Sequence, residues 1–119
     1  MAPRQRLSGA GFVLLAACAA GCVHGSSAKA SARQAVVEAN LPELQSCWSE
    51  LPADQRTRAG SLLFTVDVRR NGTVDWVDIA VDELGIPKLG ACTVRSIKKW
   101  RFPDDRKPRS IRFGVGFTG

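Results

Sequence analysis

Two cysteines constrain the fold of this 119-residue chain more than any other feature. Cys47 and Cys92 each lie on an apolar stripe with helical spacing, and both follow an N-terminal segment typical of exported proteins. Export leads to an oxidising compartment, where two such thiols are more often joined than free. A disulfide between them would make the two helices neighbours and would enclose the intervening chain in one small domain. The alternative is a reactive single thiol.

The first residues form a targeting segment. Arg4 and Arg6 precede an apolar run from Leu7 to Ala17, which is the order of charge and hydrophobicity found in a signal peptide. The run is too short to span a bilayer, because a transmembrane helix needs about 20 apolar residues. We therefore expect a signal peptide at residues 1–17.

The end of this segment predicts a lipid anchor. Leu15-Ala16-Ala17-Cys18 matches a bacterial lipobox, in which a signal peptidase cuts before the cysteine and the new N-terminus is lipidated. A second candidate, Ala19-Ala20-Gly21-Cys22, follows directly. Leu15, three residues before the cut, favours lipidation at Cys18. The number of remaining cysteines favours Cys22, because cutting before Cys18 leaves Cys22 as a thiol without a partner. A plain secretory signal without lipid is the remaining alternative.

The mature chain has two parts. Residues 18–31 show no apolar period and include Gly25-Ser26-Ser27, so they are interpreted as a flexible tether in which His24 is solvated. Residues 32–119 number fewer than 90 and are expected to form one domain. A domain of this size buries only about 60–65% of its unfolded surface, so its stability is marginal and a disulfide would matter.

Apolar spacing predicts two helices. The first covers about Leu41 to Leu51, with Asn40 as its N-cap and Glu43 completing a capping box, because Pro42 would break a longer helix. The second carries Leu89 and Cys92 on its apolar stripe and ends near Phe102-Pro103.

Alternating residues predict three strands. In the first, Ser61 to Arg69, the even-numbered apolar residues from Leu62 to Val68 share one face. Asn71-Gly72 then signals a hairpin turn. In the second strand, Val77, Ile79 and Val81 are expected to face the core and Val74, Trp76 and Asp78 the opposite side; the third strand is Ser110 to Phe117. The predicted fold is α+β, a three-stranded antiparallel sheet with both helices on one face, in the order helix-strand-strand-helix-strand.

The charge balance limits the partners. The net charge is +6, or about +4 once Arg4 and Arg6 are removed with the signal. A basic surface suits acidic proteins or anionic headgroups; alternatively, the charges solvate a helix face and protect an edge strand. Nucleic acid is not expected as a partner of an exported, membrane-tethered chain. The basic residues gather toward the C-terminus: Arg95, Lys98, Lys99, Arg101, Arg106, Lys107, Arg109 and Arg112.

No catalytic constellation is visible in the sequence. The single histidine lies in the tether, so no Ser/His/Asp or Cys/His arrangement can be assembled on the domain. The aspartate pairs Asp75 with Asp78 and Asp104 with Asp105 are interpreted as solvated carboxylates. The cysteines lack the Cys-x-x-Cys spacing of a redox or zinc motif. We expect a protein that is not an enzyme and binds neither metal nor cofactor.

The last strand suggests a binding surface. Gly114 and Gly116 leave alternate positions bare, so this strand offers an edge or flat face to another extended chain. Alternatively, the glycines lie beneath a neighbouring side chain. Trp76 and Arg112 would form a patch on the exposed sheet face or a cation–π pair. The predicted partner-binding residues are Trp76, Arg112, Phe113, Val115 and Phe117.

These motifs together resemble a known family. The segments are Asn40 to Trp48, the strand that begins at Gly60, Asn71 to Val74, Ala91 to Val94, and Ile97 to Pro103 with its Trp-x-Phe-Pro ending. In combination they resemble the AgmX/PglI C-terminal domain, a relative of the TonB C-terminal domain, over roughly Val36 to Phe117. Trp48 stands where that family usually has tyrosine.

The resemblance implies a TonB-like fold and a non-catalytic role in the cell envelope. Domains of this type bind partner peptides by strand addition. The chain lacks the transmembrane helix and the long Pro-rich span that a direct energy transducer needs. We therefore expect a lipid-anchored periplasmic module that binds an envelope protein. The alternative is a structural lipoprotein whose basic face binds anionic cell-wall polymer. No aspartate follows the lipidated cysteine, which favours the outer membrane.

Overall fold

The computed structural model describes residues 25–118. The predicted signal peptide, both candidate lipidation sites and His24 lie outside the described residues. The chain divides into two units, residues 1–31 and residues 32–119, and the fold below is that of the second. Within residues 25–118, no helix is long and apolar enough to cross a membrane.

The second unit is an α+β domain with an open three-stranded antiparallel sheet, as predicted. The strands lie in the spatial order β2-β1-β3, so the first strand is central and the other two are edges. The described elements are α1 Gly25–Ser49, whose residues from 32 onward belong to this unit, a 3₁₀ turn Ala53–Gln55, β1 Gly60–Val68, β2 Val74–Asp82, α2 Pro87–Ile97 and β3 Arg109–Phe117.

Helix α1 is longer than predicted. Asn40 does not cap it; its side-chain nitrogen donates to the carbonyl of Val36 at 2.8 Å, inside the helix. Pro42 also lies inside the helix, on its exposed side, although a proline there removes one intrahelical hydrogen bond. Residues 25–31, which were predicted to belong to the tether, are helical as well. The many alanines between residues 28 and 39 favour this extension, because alanine is the best helix former.

The prediction of which β2 side chains face the core was partly wrong. Val77 is buried, but Val74 is buried too and Val81 is 48% exposed. The reason is two β-bulges: the pairing with β1 skips Asp75 at one end and Ala80 at the other. Each extra residue shifts the alternation by one and moves the following side chains to the opposite face.

The core lies between the helices and one face of the sheet. That face carries the even-numbered residues of β1, of which Phe64 and Val66 are completely buried. Trp48 of α1 packs against Phe117, with 5.5 Å between ring centroids, and Trp100 stacks on Phe113 at 5.7 Å. Trp100 follows the end of α2, and Leu89 and Ile97 of α2 itself are completely buried in the same core, so both helices and the segment after α2 cover this side of the sheet.

A disulfide joins the two helices, as the sequence predicted. The sulfur atoms of Cys47 and Cys92 are bonded, and their Cα atoms are 5.8 Å apart. A second link lies one turn earlier in α1, where Trp100 Nε1 donates to a carboxylate oxygen of Glu43 at 3.1 Å. The segment after α2 is thus fastened to α1 independently of the disulfide.

The hairpin between β1 and β2 depends on Gly72. Its φ is +88°, and a Cβ there would collide with the backbone oxygen of Phe102. Asn71 contributes through its side chain, because its Oδ1 accepts hydrogen bonds from the N–H and hydroxyl of Thr73. Its own φ is not positive, so the turn is not the two-residue type with positive φ at both positions that an Asn-Gly pair favours.

Candidate interaction surface

The predicted partner-binding residues fall on two different faces. Trp76 is 61% exposed and Arg112 is exposed, both on the sheet face that the helices do not cover. Phe113 is half-buried, whereas Val115 and Phe117 are buried in the core. The side chains of these last three residues pack against the helices, since one face of every strand in this sheet lines the core.

The outer edge of β3 offers unpaired backbone groups. In a strand, the N–H and C=O of one residue point to the same side, and successive residues alternate. The Ser61 carbonyl accepts from the N–H of Glu83 just after β2, so the odd-numbered residues of β1 point toward β2 and the even-numbered ones toward β3. Because Leu62 pairs with Val115, the odd-numbered residues of β3 bond to β1. The backbone groups of Ser110, Arg112, Gly114 and Gly116 therefore point outward.

Helix α1 covers one end of this edge. Gln45 Nε2 donates to the carbonyl of Gly116 at 3.1 Å, and Trp48 Nε1 donates to the carbonyl of Thr118 at 2.9 Å. Both acceptors are thus satisfied within the chain. The stretch from Ser110 to Gly114 has no such cover among the described residues, so this part of β3 is the open edge.

The two edges of the sheet are protected very differently. The edge strand β2 contains two bulges and packs against α2, and it carries Asp75, Asp78 and Asp82. Bulges and charges of this kind prevent another chain from pairing with an edge. In contrast, β3 pairs with β1 through nine consecutive residues without a bulge. Its outer edge is therefore regular enough to accept a further strand.

The sheet face opposite the helices, here called the open face, has a defined order of side chains. Three rows cross the strands from β2 through β1 to β3. The two large apolar side chains that are most exposed among the described residues, Trp76 and Val81, both lie on it. The rows are Trp76, Asp67 and Ser110; Asp78, Thr65 and Arg112; and Val81, Leu63 and Gly114.

The predicted cation–π pair does not form. Trp76 and Arg112 lie in different rows and on different strands, and neither side chain has a hydrogen bond, ion pair or ring contact within residues 25–118. The patch interpretation of these two residues stays a prediction. Val81, Leu63 and Thr65 were not predicted as surface candidates, and the bulge that turns Val81 outward leaves no signal in the sequence.

Part of the basic cluster is neutralised within the chain. Asp105 accepts from Arg109 Nε at 2.8 Å and from Arg33 of α1 at 3.3 Å, and its side chain is only 6% exposed. The hydrogen bond from Arg109 holds the pKa of this carboxyl well below its usual range, with a further contribution from the Arg106 N–H. Asp105 is therefore a structural ion-pair centre and not the solvated carboxylate that was predicted.

Nothing in the described part of the chain resembles a metal site. No group of three or more His, Cys, Asp or Glu side chains among residues 25–118 is placed to hold a metal ion.

Comparisons of the chain with protein-family models, with curated proteins and with solved structures find no significant match. Its function must therefore be argued from its own geometry.

Proposed function

We propose that this protein is a lipid-anchored cell-envelope module with a TonB-like fold, which binds a protein partner by strand addition to the outer edge of β3. The observation that carries the proposal is the open edge itself. Backbone groups of Ser110, Arg112 and Gly114 point away from β1, and the strand has no bulge. An extended peptide can complete these hydrogen bonds, which is how β-augmentation gives affinity.

Membership of the AgmX/PglI C-terminal domain family is part of this proposal. It is supported by the element order and by the helix-linking disulfide between two of the motifs that carry the resemblance. The proposed role is binding and not catalysis. The anchor at Cys18, or alternatively Cys22, would hold the domain on the periplasmic side of a membrane, with the outer membrane favoured by the residue after the lipidated cysteine.

The charges around the edge suggest the kind of peptide that binds. Arg112 is exposed on the open edge and has no ion-pair partner among the described residues, and Lys107 is exposed just before the strand. Arg109, in contrast, is already held by Asp105. An extended segment with an acidic residue opposite Arg112 is therefore the preferred partner, since it would add a charge-assisted contact to the backbone hydrogen bonds.

The alternative function, binding of anionic cell-wall polymer, has less support. Asp105 engages two of the basic side chains, and Asp67 and Asp78 lie on the same sheet face as Arg112. A polyanion would be repelled by these carboxylates. Sedimentation of the protein with purified cell wall that is lost at raised salt would favour this alternative over strand addition.

Photo-crosslinking from position 112, combined with two substitutions of Gly114, tests the proposal. A photo-crosslinking amino acid at Arg112 in cells is expected to trap a specific envelope protein. Gly114→Pro should reduce that band at least about tenfold, because proline removes an outward N–H that a new strand needs. The matched control Gly114→Val keeps this N–H and should keep the band. A crosslinker at exposed Thr57 measures the background.

The readout separates the partner from a second copy of the chain by mass and by sequencing of the trapped product. Equal loss of the partner band in Gly114→Pro and Gly114→Val would show that the side-chain face, and not the backbone edge, binds the partner. No band above the Thr57 background would contradict the proposal as a whole.

A further inference from the structure

We propose that the open face of the sheet binds the same face of a second copy of this chain, in a face-to-face dimer whose twofold axis runs parallel to β1. This surface shares the Arg112 side chain with the outer edge of β3 but uses none of the outward backbone groups, so the dimer does not depend on strand addition. Three properties of the open face support this dimer. No contact within residues 25–118 requires its two glycines, two of its opposite charges have no ion-pair partner within those residues, and its rows are in register across the strands.

No contact within residues 25–118 requires glycine at positions 114 and 116 of β3. A Cβ at Gly114 would meet its nearest atoms only at 3.9 Å, an ordinary contact, and one at Gly116 would meet nothing within 4 Å. Neither residue has a positive φ. This removes the alternative that they lie beneath a neighbouring side chain. Glycine weakens a strand interior and often marks the close approach of another surface, so we place the cause outside residues 25–118.

The charges of the open face are unpaired within one copy. Asp78 and Arg112 lie in the same row on opposite sides of Thr65. Two strand spacings, or about 10 Å, separate their backbones, and no ion pair joins them. Neither side chain has another partner in the part of the chain that the structure describes. Two opposite charges at matching positions are the pattern expected of a self-complementary surface.

A twofold axis parallel to β1 pairs these features. It places β2 of one copy over β3 of the other and keeps each row at its own level. Asp78 then lies opposite the partner copy's Arg112, and Val81 lies opposite the bare surface at Gly114, each contact occurring twice. Leu63, Thr65 and Asp67 meet their own equivalents on the axis, so one like-charge contact, Asp67 against Asp67, accompanies the two contacts between Asp78 and Arg112. Packed sheets cross at about 30°, so β1 of each copy would lie about 15° from the axis and the rows would stay close to this alignment.

The other twofold arrangement of the same faces is unfavourable. An axis across the strands at the Thr65 row would place β2 over β2 and β3 over β3. Asp78 would then oppose Asp78, and Arg112 would oppose Arg112. Like charges placed face to face cost several kcal/mol. That axis makes two like-charge contacts and brings no opposite charges together, whereas the axis parallel to β1 makes one like-charge contact, at Asp67, and two opposite-charge contacts, so the balance of charges favours the axis parallel to β1.

The contact area indicates a weak dimer. Three strands about 4.8 Å apart and nine residues long cover about 400 Å² of each copy, or about 800 Å² in total. Stable interfaces bury about 1,200–2,000 Å², so this one belongs to the transient class. Trapping by crosslinking is therefore a better test than size measurement on dilute protein.

The test uses Leu63→Cys in the full chain, because residue 63 lies on the proposed axis. A short bis-maleimide should link two copies at least about ten times faster than it links the matched control Thr57→Cys, with the parent chain reporting any background from its own cysteines. A crosslinker is needed because facing residues of sheets packed about 10 Å apart are too distant for a direct disulfide. Adding Asp78→Arg or Gly114→Val should each bring the rate down to the control level. Adding Asp78→Arg together with Arg112→Asp should restore it, since the charge pair is re-formed in the opposite sense.

Thermal unfolding of every variant shows whether it is folded. Gly114→Val should be at least as stable as the parent, because a β-branched residue replaces glycine in a strand. Linking of Leu63→Cys at the control rate would overturn the proposal. Failure of the double charge swap to restore linking, in a folded protein, would also overturn it and would assign the open face to a different partner.

Discussion

Replacing Cys47 and Cys92 together with alanine is expected to lower the free energy of unfolding by about 4 kcal/mol, because the disulfide closes a loop of 45 residues in the unfolded chain. A domain of this size has a total stability of roughly 4–13 kcal/mol. The loss is therefore a large share of the whole. Alanine is chosen over serine since Cys47 is buried and a hydroxyl there would need a hydrogen-bond partner.

Denaturant unfolding of the oxidised parent and of the double variant measures this loss. The midpoint of thermal unfolding should fall by roughly 15–30 °C, at about 4–8 °C per kcal/mol for a small domain. Chemical reduction of the parent is the control and should give a similar destabilisation without any change of sequence. A loss below about 1 kcal/mol in both would mean that the packing around Trp48 and Trp100 holds the helices without the covalent link.

Phe64→Ala should destabilise the domain by about 3–5 kcal/mol. Phe64 lies in the central strand and is completely buried, with its ring centroid 5.4 Å from that of Phe113. Alanine would leave a cavity between the sheet and the helices, and the surrounding side chains could fill it only in part. Equilibrium unfolding in denaturant with a fixed slope gives the change in free energy directly.

Trp76→Ala is the matched control for Phe64→Ala, since it removes a larger aromatic side chain from the opposite face of the sheet. Trp76 is 61% exposed and has no ring or hydrogen-bond partner within residues 25–118, so its loss should change stability by no more than about 0.5 kcal/mol. Equal destabilisation by the two substitutions would show that the helices do not cover the face that carries Phe64.

Several features of the fold could be predicted because each has a local cause. The alternation in β1 assigned its buried face correctly, since a central strand under two helices must bury one side. The two cysteines lay on the inner stripes of both helices, and the disulfide followed from the oxidising compartment that an exported chain enters. Gly72 marked the hairpin, because only glycine fits its positive φ and its contact with Phe102.

Other features depend on contacts that are distant in the sequence. The bulges at Asp75 and Ala80 exchange the expected exposures of Val74 and Val81, and they arise from the pairing of two strands rather than from either strand alone. The sequence predicts a solvated Asp105, yet this carboxylate binds Arg33, which lies 72 residues away in the sequence. The side chains at Gln45 and Trp48 that cover the end of β3 are equally remote from it.

The partner-binding surface predicted on β3 stays a prediction, and the structure shows only which of its groups are accessible. The sequence pointed to Phe113, Val115 and Phe117, whose side chains the structure places against the helices. What β3 leaves accessible is the backbone of the intervening residues and the bare face at its glycines. Which backbone groups point outward depends on the register with β1, and that register is not encoded in any short motif.

Amide hydrogen exchange along β3 tests most directly whether its outer edge is free to receive a strand. We predict an alternating pattern in the free protein: the amides of Ile111, Phe113 and Val115 exchange at least about a hundredfold more slowly than those of Arg112 and Gly114, because only the first set bonds to β1. Equal protection of both sets would mean that another part of the chain already occupies this edge, and the proposed docking strand would have to be abandoned.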